Sequence, residues 1–130
     1  MKKFIFVFLF LIANYSSIIA QSGWYWANPL PQGNTLKKVK FIDNNTGFLI
    51  GYHGALLRTT NGGLNWQTSQ LTSLRVYSIF FLNSQTGFIS ASNATLFKTT
   101  DAGNSWSSIT CTSLTGYNFE DIHFMNENTG

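Results

Sequence analysis

Hydrophobic positions along this chain follow two regimes. From Phe4 to Ile12 no polar residue interrupts the run. After Gln21 the apolar residues come in short bursts separated by Asn, Gly, Asp and Ser clusters, and the i, i+3, i+4, i+7 spacing of an amphipathic helix is absent. Four bursts follow one another as LKKVKFID (36–43), GFLIGY (47–52), ALLRTT (55–60) and NWQTSQL (65–71). They are rich in β-branched and aromatic residues and bounded by turn formers, so each predicts a strand. DNNTG (43–47) and YHG (52–54) have tight-turn composition, with Gly supplying positive φ at the corners.

The pattern returns 40 residues later without an insertion. Identical pairs are Phe41/Phe81, Thr46/Thr86, Gly47/Gly87, Phe48/Phe88, Leu56/Leu96, Thr59/Thr99, Thr60/Thr100, Gly63/Gly103 and Trp66/Trp106. Similar residues fill the intervals, as in Val39/Ile79, Leu49/Ile89 and Arg58/Lys98. A third copy opens at the carboxyl end, where Phe119, Ile122, Phe124, Met125, Thr129 and Gly130 follow Val76, Ile79, Phe81, Leu82, Thr86 and Gly87 at a spacing of 43. Gly23 and Trp26 stand 40 residues before Gly63 and Trp66, so a partial copy also lies at the front.

A period near 40 with four strands per unit predicts an all-β chain folded as a β-propeller of four-stranded antiparallel blades, each burying its neighbour's faces. Residues 34–73 are expected to form the first full blade, 74–116 the second, and 117–130 the start of a third. Residues 21–33 are expected to form an outer strand that closes the ring. Propellers need about four to eight blades, so residues 21–130 are expected to be the N-terminal portion of a larger, incomplete ring.

Residues 1–20 change the picture of charge and compartment. Lys2 and Lys3, the apolar run and Ala20 match a secretory signal peptide cut after Ala20. Asn14, Tyr15, Ser16 and Ser17 break the run too early for a membrane span. The expected location is exported, in the periplasm or at the surface of a bacterium, with no integral membrane segment after cleavage. Removing Lys2 and Lys3 leaves six basic against five acidic residues, which provides no electrostatic case for nucleic acid as partner. Cys111 is the only cysteine, so no disulfide can form within the chain and no cysteine metal site is available.

The most conserved phrase of the repeat is TTNGGLNW (59–66), which returns as TTDAGNSW (99–106). It resembles the Asp-box: Ser or Thr, any residue, Asp, any residue, Gly, two free positions and Trp. Thr99, Asp101, Gly103 and Trp106 fill the second box, and Thr59, Asn61, Gly63 and Trp66 the first, with Asn in the place of Asp. The third side chain can accept hydrogen bonds from the turn's own N–H groups, Gly permits the reversal, and Trp packs the turn on the blade. Asn retains an acceptor without the charge, so the first box is expected to be weaker. The box resemblance implies a position at the blade periphery, which argues against Asp101 as a catalytic acid.

The longer phrase LKKVKFIDNNTGFLIGYHGALLRTTNGGLNW resembles the repeat of the photosystem II assembly and stability factor family, over residues 24–130. Ala91 and Ala94 stand where that family favours Gly. The resemblance implies a non-enzymatic propeller, without cofactor or metal, that binds a protein partner; an extracellular ligand is the other partner class considered. Two alternatives remain open. An Asp-box glycosidase, of sialidase or endoglucanase type, needs two placed carboxylates or an arginine cluster; this chain offers only Arg58 and Arg75, and Arg58, aligned with Lys98 just before each box, reads as a solvated strand residue, so catalytic residues would lie elsewhere. A surface-displayed adhesin is the other. Glu120, Asp121 and His123 are the most acidic constellation; they align with the innermost strand and are expected, if functional, to form a partner-binding rim. Two ligands on one face fall short of the three or four a metal site usually takes.

Overall fold

The computed structural model describes residues 33–126 and 128–130. The expected signal peptide and all but the last residue of the expected closing strand, Trp26 included, lie outside the described residues. Eight strands follow in chain order: β1 (Leu36–Phe41), β2 (Gly47–Gly51), β3 (Ala55–Thr59), β4 (Gln67–Gln70), β5 (Val76–Phe81), β6 (Gly87–Ala91), β7 (Thr95–Thr99) and β8 (Ser107–Thr110). They form two four-stranded antiparallel sheets in the orders β1-β2-β3-β4 and β5-β6-β7-β8. These are propeller blades. The fourth strand is shorter than its apolar burst because Asn65 and Trp66 are used by the turn that precedes it.

Registers repeat as closely as the letters do. Lys38 pairs with Ile50, and 40 residues on Ser78 pairs with Ser90. Both first strands carry the same irregularity, between Leu36 and Lys38 and between Val76 and Ser78. A bulge turns its extra residue away from the ladder, and here that residue is Lys37 in one blade and Tyr77 in the next.

Each β1–β2-type turn is built from local chemistry. Asp43 Oδ1 accepts hydrogen bonds from the N–H groups of Asn45 and Thr46, each at 2.7 Å. Asn83 Oδ1 does the same for Gln85 and Thr86, and Asn126 Oδ1 accepts from the Asn128 N–H at 2.9 Å. These hydrogen bonds hold the Asp43 carboxyl below its usual pKa, the Asn45 contact foremost. The glycine that ends each turn lies under a phenylalanine six residues earlier. A Cβ on Gly47 would sit 2.7 Å from the Phe41 ring, one on Gly87 2.7 Å from Phe81, and one on Gly130 2.5 Å from Phe124. The turn is thus made a third time after the second blade, with Met125 donating to the Thr129 carbonyl as Ile42 does to Thr46 and Leu82 to Thr86.

The core lies between the blades. Phe48, Ile50 and Leu56 of the first pack against Val76, Ile79, Phe81, Ile89, Ala91 and Phe97 of the second, with Leu71, Leu74 and Trp106 at the margin. Alternation explains the set: Phe48 and Ile50 share one face of β2, and Ile79 and Phe81 share one face of β5. Phe48 is fully buried, stacks on Phe81 at 5.1 Å between centroids and meets Trp106 edge-on at 6.4 Å. One unit further along, Phe88 stacks on Phe124 at 4.0 Å. On the opposite face of the first blade Val39 and Phe41 are exposed.

Candidate functional site

The two boxes close the hairpins β3–β4 and β7–β8 by matching hydrogen bonds. In the second, Thr99 Oγ1 donates to Asp101 Oδ1 at 2.7 Å and accepts from the Gly103 N–H at 3.0 Å. The Ser105 N–H donates to Asp101 Oδ1 at 2.9 Å and its hydroxyl to Oδ2 at 2.5 Å. In the first, Thr59 Oγ1 donates to Asn61 Oδ1 at 3.0 Å and accepts from the Gly63 N–H at 2.9 Å, and the Asn65 N–H donates to Asn61 Oδ1 at 2.9 Å. The second box also has a hydroxyl at its seventh position, Ser105, where the first has Asn65, and this hydroxyl adds a bond that the first box lacks. The Ser105 hydroxyl, then the Ser105 N–H and the Thr99 hydroxyl, lower the Asp101 pKa to about 2. Each box is also tied to the neighbouring turn of its own blade: Gly62 donates to the Asn45 carbonyl at 2.8 Å and Ala102 to the Gln85 carbonyl at 3.0 Å.

Trp66 meets Phe41 of its own blade edge-on at 6.2 Å, whereas Trp106 contacts Phe81 of its own blade and Phe48 of the preceding one. Gly103 approaches Phe48 so closely that a Cβ there would lie 2.5 Å from the ring. The second box therefore also clamps one blade to the next.

The residues singled out near the carboxyl end come together with side chains from both earlier repeats. Lys38, Ser78 and Asp121 occupy the same place in three successive repeats, and they meet. Lys38 Nζ donates to Ser78 Oγ at 2.9 Å and to Asp121 Oδ1 at 2.7 Å, and the Ser78 hydroxyl donates to Asp121 Oδ1 as well. Ser78 is buried, while Lys38 and Asp121 keep much of their surface in solvent. The Lys38 contact, followed by that of Ser78, holds the Asp121 carboxyl well below the usual carboxylate range. His123 lies against Phe80 with ring centroids 4.7 Å apart. Glu120 lies where it adds a minor favourable charge to Lys37. Among the described residues no group of three or more His, Cys, Asp or Glu side chains could hold a metal ion.

A second cluster sits beside this network, at the start of the innermost strands. Tyr52, at the β2–β3 corner, has Lys37 Nζ 4.6 Å from its ring centroid and the Arg75 guanidinium at 5.3 Å. Two cations on one electron-rich ring share its quadrupole. Tyr52 also raises the Lys37 pKa above the ordinary lysine value, chiefly by a side-chain hydrogen bond. Sequence reasoning singled out neither Lys37 nor Tyr52 and gave Arg75 no role. The available signal was the shared bulge position of Lys37 and Tyr77, which turns them off the ladder. Arg58 also departs from its expectation as a solvated strand residue: its guanidinium lies 5.9 Å from the Phe48 ring and its Nε is buried. The long stem covers apolar surface where the neighbouring blade excludes water.

Comparison with known proteins agrees with this architecture. The solved structure described as "YCF48 bound to D1 peptide" matches with a TM-score of 0.58 and 32% identity, over 63% of this chain and 28% of that one. YCF48 from Cyanidioschyzon merolae matches with a TM-score of 0.57 and 25% identity, over 64% of this chain and 29% of that one. The chain thus spans under a third of the length of these propellers. No curated protein matches it. Among the described residues no helix is long and apolar enough to cross a membrane. A match to the family described as the photosynthesis system II assembly factor YCF48 covers residues 17–117, and the chain belongs to that family.

Proposed function

We propose that these blades belong to an exported, non-catalytic propeller that binds a polypeptide partner as an assembly factor does, using the inner rim formed by Lys37, Tyr52, Arg75, Tyr77, Glu120, Asp121 and His123. The observation that carries the reading is the convergence of Lys38, Ser78 and Asp121 from three repeats. It holds the innermost strands in fixed register, so that the neighbouring cationic and aromatic groups stand preorganised. A surface of Tyr, Arg and Lys on a rigid frame suits recognition of a peptide with acidic and aromatic character.

Membership of an assembly-factor family, and a relative solved with a D1 peptide, support a protein partner. Support for the non-catalytic reading comes from the carboxylates. Asp43 and Asp101 accept turn hydrogen bonds and Asp121 is paired with Lys38, so none of them is placed opposite another across a cleft as hydrolysis of a glycoside requires. Support for export is the composition of residues 1–20.

The test is site-specific photocrosslinking in the full-length protein. A photoreactive residue at Tyr77 should capture one discrete partner, and the same residue at Ser108 on the outer strand should not. The captured band should disappear when Lys37→Glu and Arg75→Glu are introduced together. Equal capture from Ser108, or capture that survives the double charge reversal, would remove the rim from the binding mechanism.

A further inference from the structure

Away from the rim, a groove of about 440 Å³ runs between the outer strands of the first blade and the box of the second. That volume falls in the range of small-molecule sites. One wall is Arg58 on β3 with Gln67 and Gln70 on β4; the other is Asn104, Ser105 and Trp106. Arg58 Nε and Trp106 Nε1 are buried in this region, and neither has a hydrogen-bond partner among the described residues. Both side chains are held in place by Phe48, with Arg58 over its ring and Trp106 against its edge. These contacts fix both side chains in the wall of the groove, leaving the terminal nitrogens of Arg58 as its one charged group.

Among the described residues, the lining contains one cation and no Asp or Glu. Among the described residues Arg58 makes no ion pair, the carboxylates of Asp43, Asp101 and Asp121 being engaged elsewhere. The remaining polar groups are amides and hydroxyls, which donate and accept alike. A guanidinium fork is suited to a carboxylate, and amides and hydroxyls beside an aromatic side chain suit the hydroxyl and ring oxygens of a sugar.

We propose that this interblade groove binds a small hydroxylated carboxylate of the sugar-acid class. Arg58 takes the carboxylate with its terminal N–H groups, Trp106 lines the groove beside it, and Gln67, Gln70 and Asn104 bond the hydroxyls. The next repeat places a cation, Lys98, at the position of Arg58, with Nζ 5.6 Å from the Phe88 ring, so the cationic character of the wall is a property of the repeat.

The indole N–H signals of the four tryptophans give a direct readout by two-dimensional NMR of the full chain. Titration with glucuronate should move the Trp106 signal saturably and leave that of Trp66 in place. Glucose and acetate, at matched ionic strength, should each act at least about tenfold more weakly, because each lacks one half of the recognition. Arg58→Met should weaken glucuronate binding by at least about tenfold. Arg58→Lys, which copies the residue of the next repeat, should weaken it severalfold by removing the guanidinium fork while keeping the charge. Lys40→Met, on β1 and outside both the groove and the rim, should change nothing. A Trp106 signal that does not move, or that moves equally with glucose or acetate, overturns the proposal. So does binding that Arg58→Met and Arg58→Lys leave intact.

Discussion

The first and second blades are near copies in sequence, yet they stand in different surroundings, and the contrast separates what a blade supplies itself from what its neighbours supply. In the second blade β5 and β6 are buried almost throughout, because the first blade lies on one face and Phe124 on the other. In the first, Val39 and Phe41 of β1 are exposed. The turns and ladders are nonetheless the same in both. Local hydrogen bonding thus specifies the blade, and stacking supplies most of its burial.

Differences in single residues are equally informative. At the β2–β3 corner the first blade has Gly54 with φ of 68° and the second has Ala94 with φ of 49°. A Cβ on Gly54 would collide with the Thr72 carbonyl oxygen. The second blade carries three extra residues after β8, folded as a short 3-10 turn at Thr112–Leu114, and this longer path leaves room for the methyl group. Ala94 is fully buried there and donates to the Tyr117 carbonyl at 2.7 Å.

The largest effect should come from the interface itself. Phe48→Ala removes a fully buried ring that stacks on Phe81, supports Arg58 and receives Gly103; urea denaturation should register a loss of about 3–5 kcal/mol. Phe88→Ala should cost less, since Phe124 and the Lys98 stem are its neighbours on that side. Equal losses would mean that both interfaces are equally consolidated.

Next in size is the corner exchange. Gly54→Ala should destabilise by about 2 kcal/mol or more, combining strain at positive φ with a backbone collision. Ala94→Gly should stay within about 1 kcal/mol of the parent. Similar values for the two would refute the role given to the insertion.

The smallest effect concerns the boxes. The Asp101 pKa is lowered in the fold from the ordinary 3.8 to about 2. The unfolded chain therefore binds the proton more readily, so this carboxylate contributes stability above about pH 4 that is lost as pH falls towards about 2. Asn61 has no such dependence. Asp101→Asn should lower the melting temperature slightly at pH 7 and flatten its decline between about pH 4 and 2. Asn61→Asp should do the reverse, and an unchanged acid limb in both variants would show that the boxes do not differ in strength.

Much of the fold was legible because its signals are local. An acceptor at Asp43, Asn83 or Asn126, a Gly under a Phe six residues earlier, and a Thr-x-Asp-x-Gly turn all satisfy backbone groups within a few residues, so they leave a fixed spacing in the chain. The surroundings of the proposed rim were legible only in part. Glu120, Asp121 and His123 stood out as the most acidic constellation, but the side chains Asp121 and His123 meet, Lys38, Ser78 and Phe80, lie about 40 to 80 residues away, and the Lys37–Tyr52–Arg75 cluster draws on two blades.

The amino-acid sequence by itself determined the repeat length, the strand and turn positions and the box chemistry, since each rests on alternation or on hydrogen bonds between near neighbours. Tertiary structure alone decided which cations face an aromatic ring, which Trp clamps two blades together, and why Ala is tolerated where its counterpart must be Gly. Those outcomes depend on which strands, loops and neighbouring sheets come to lie together, and that geometry comes from packing between residues well separated in the chain, within a blade for Lys37 and Ala94 and across blades for Arg75 and Trp106.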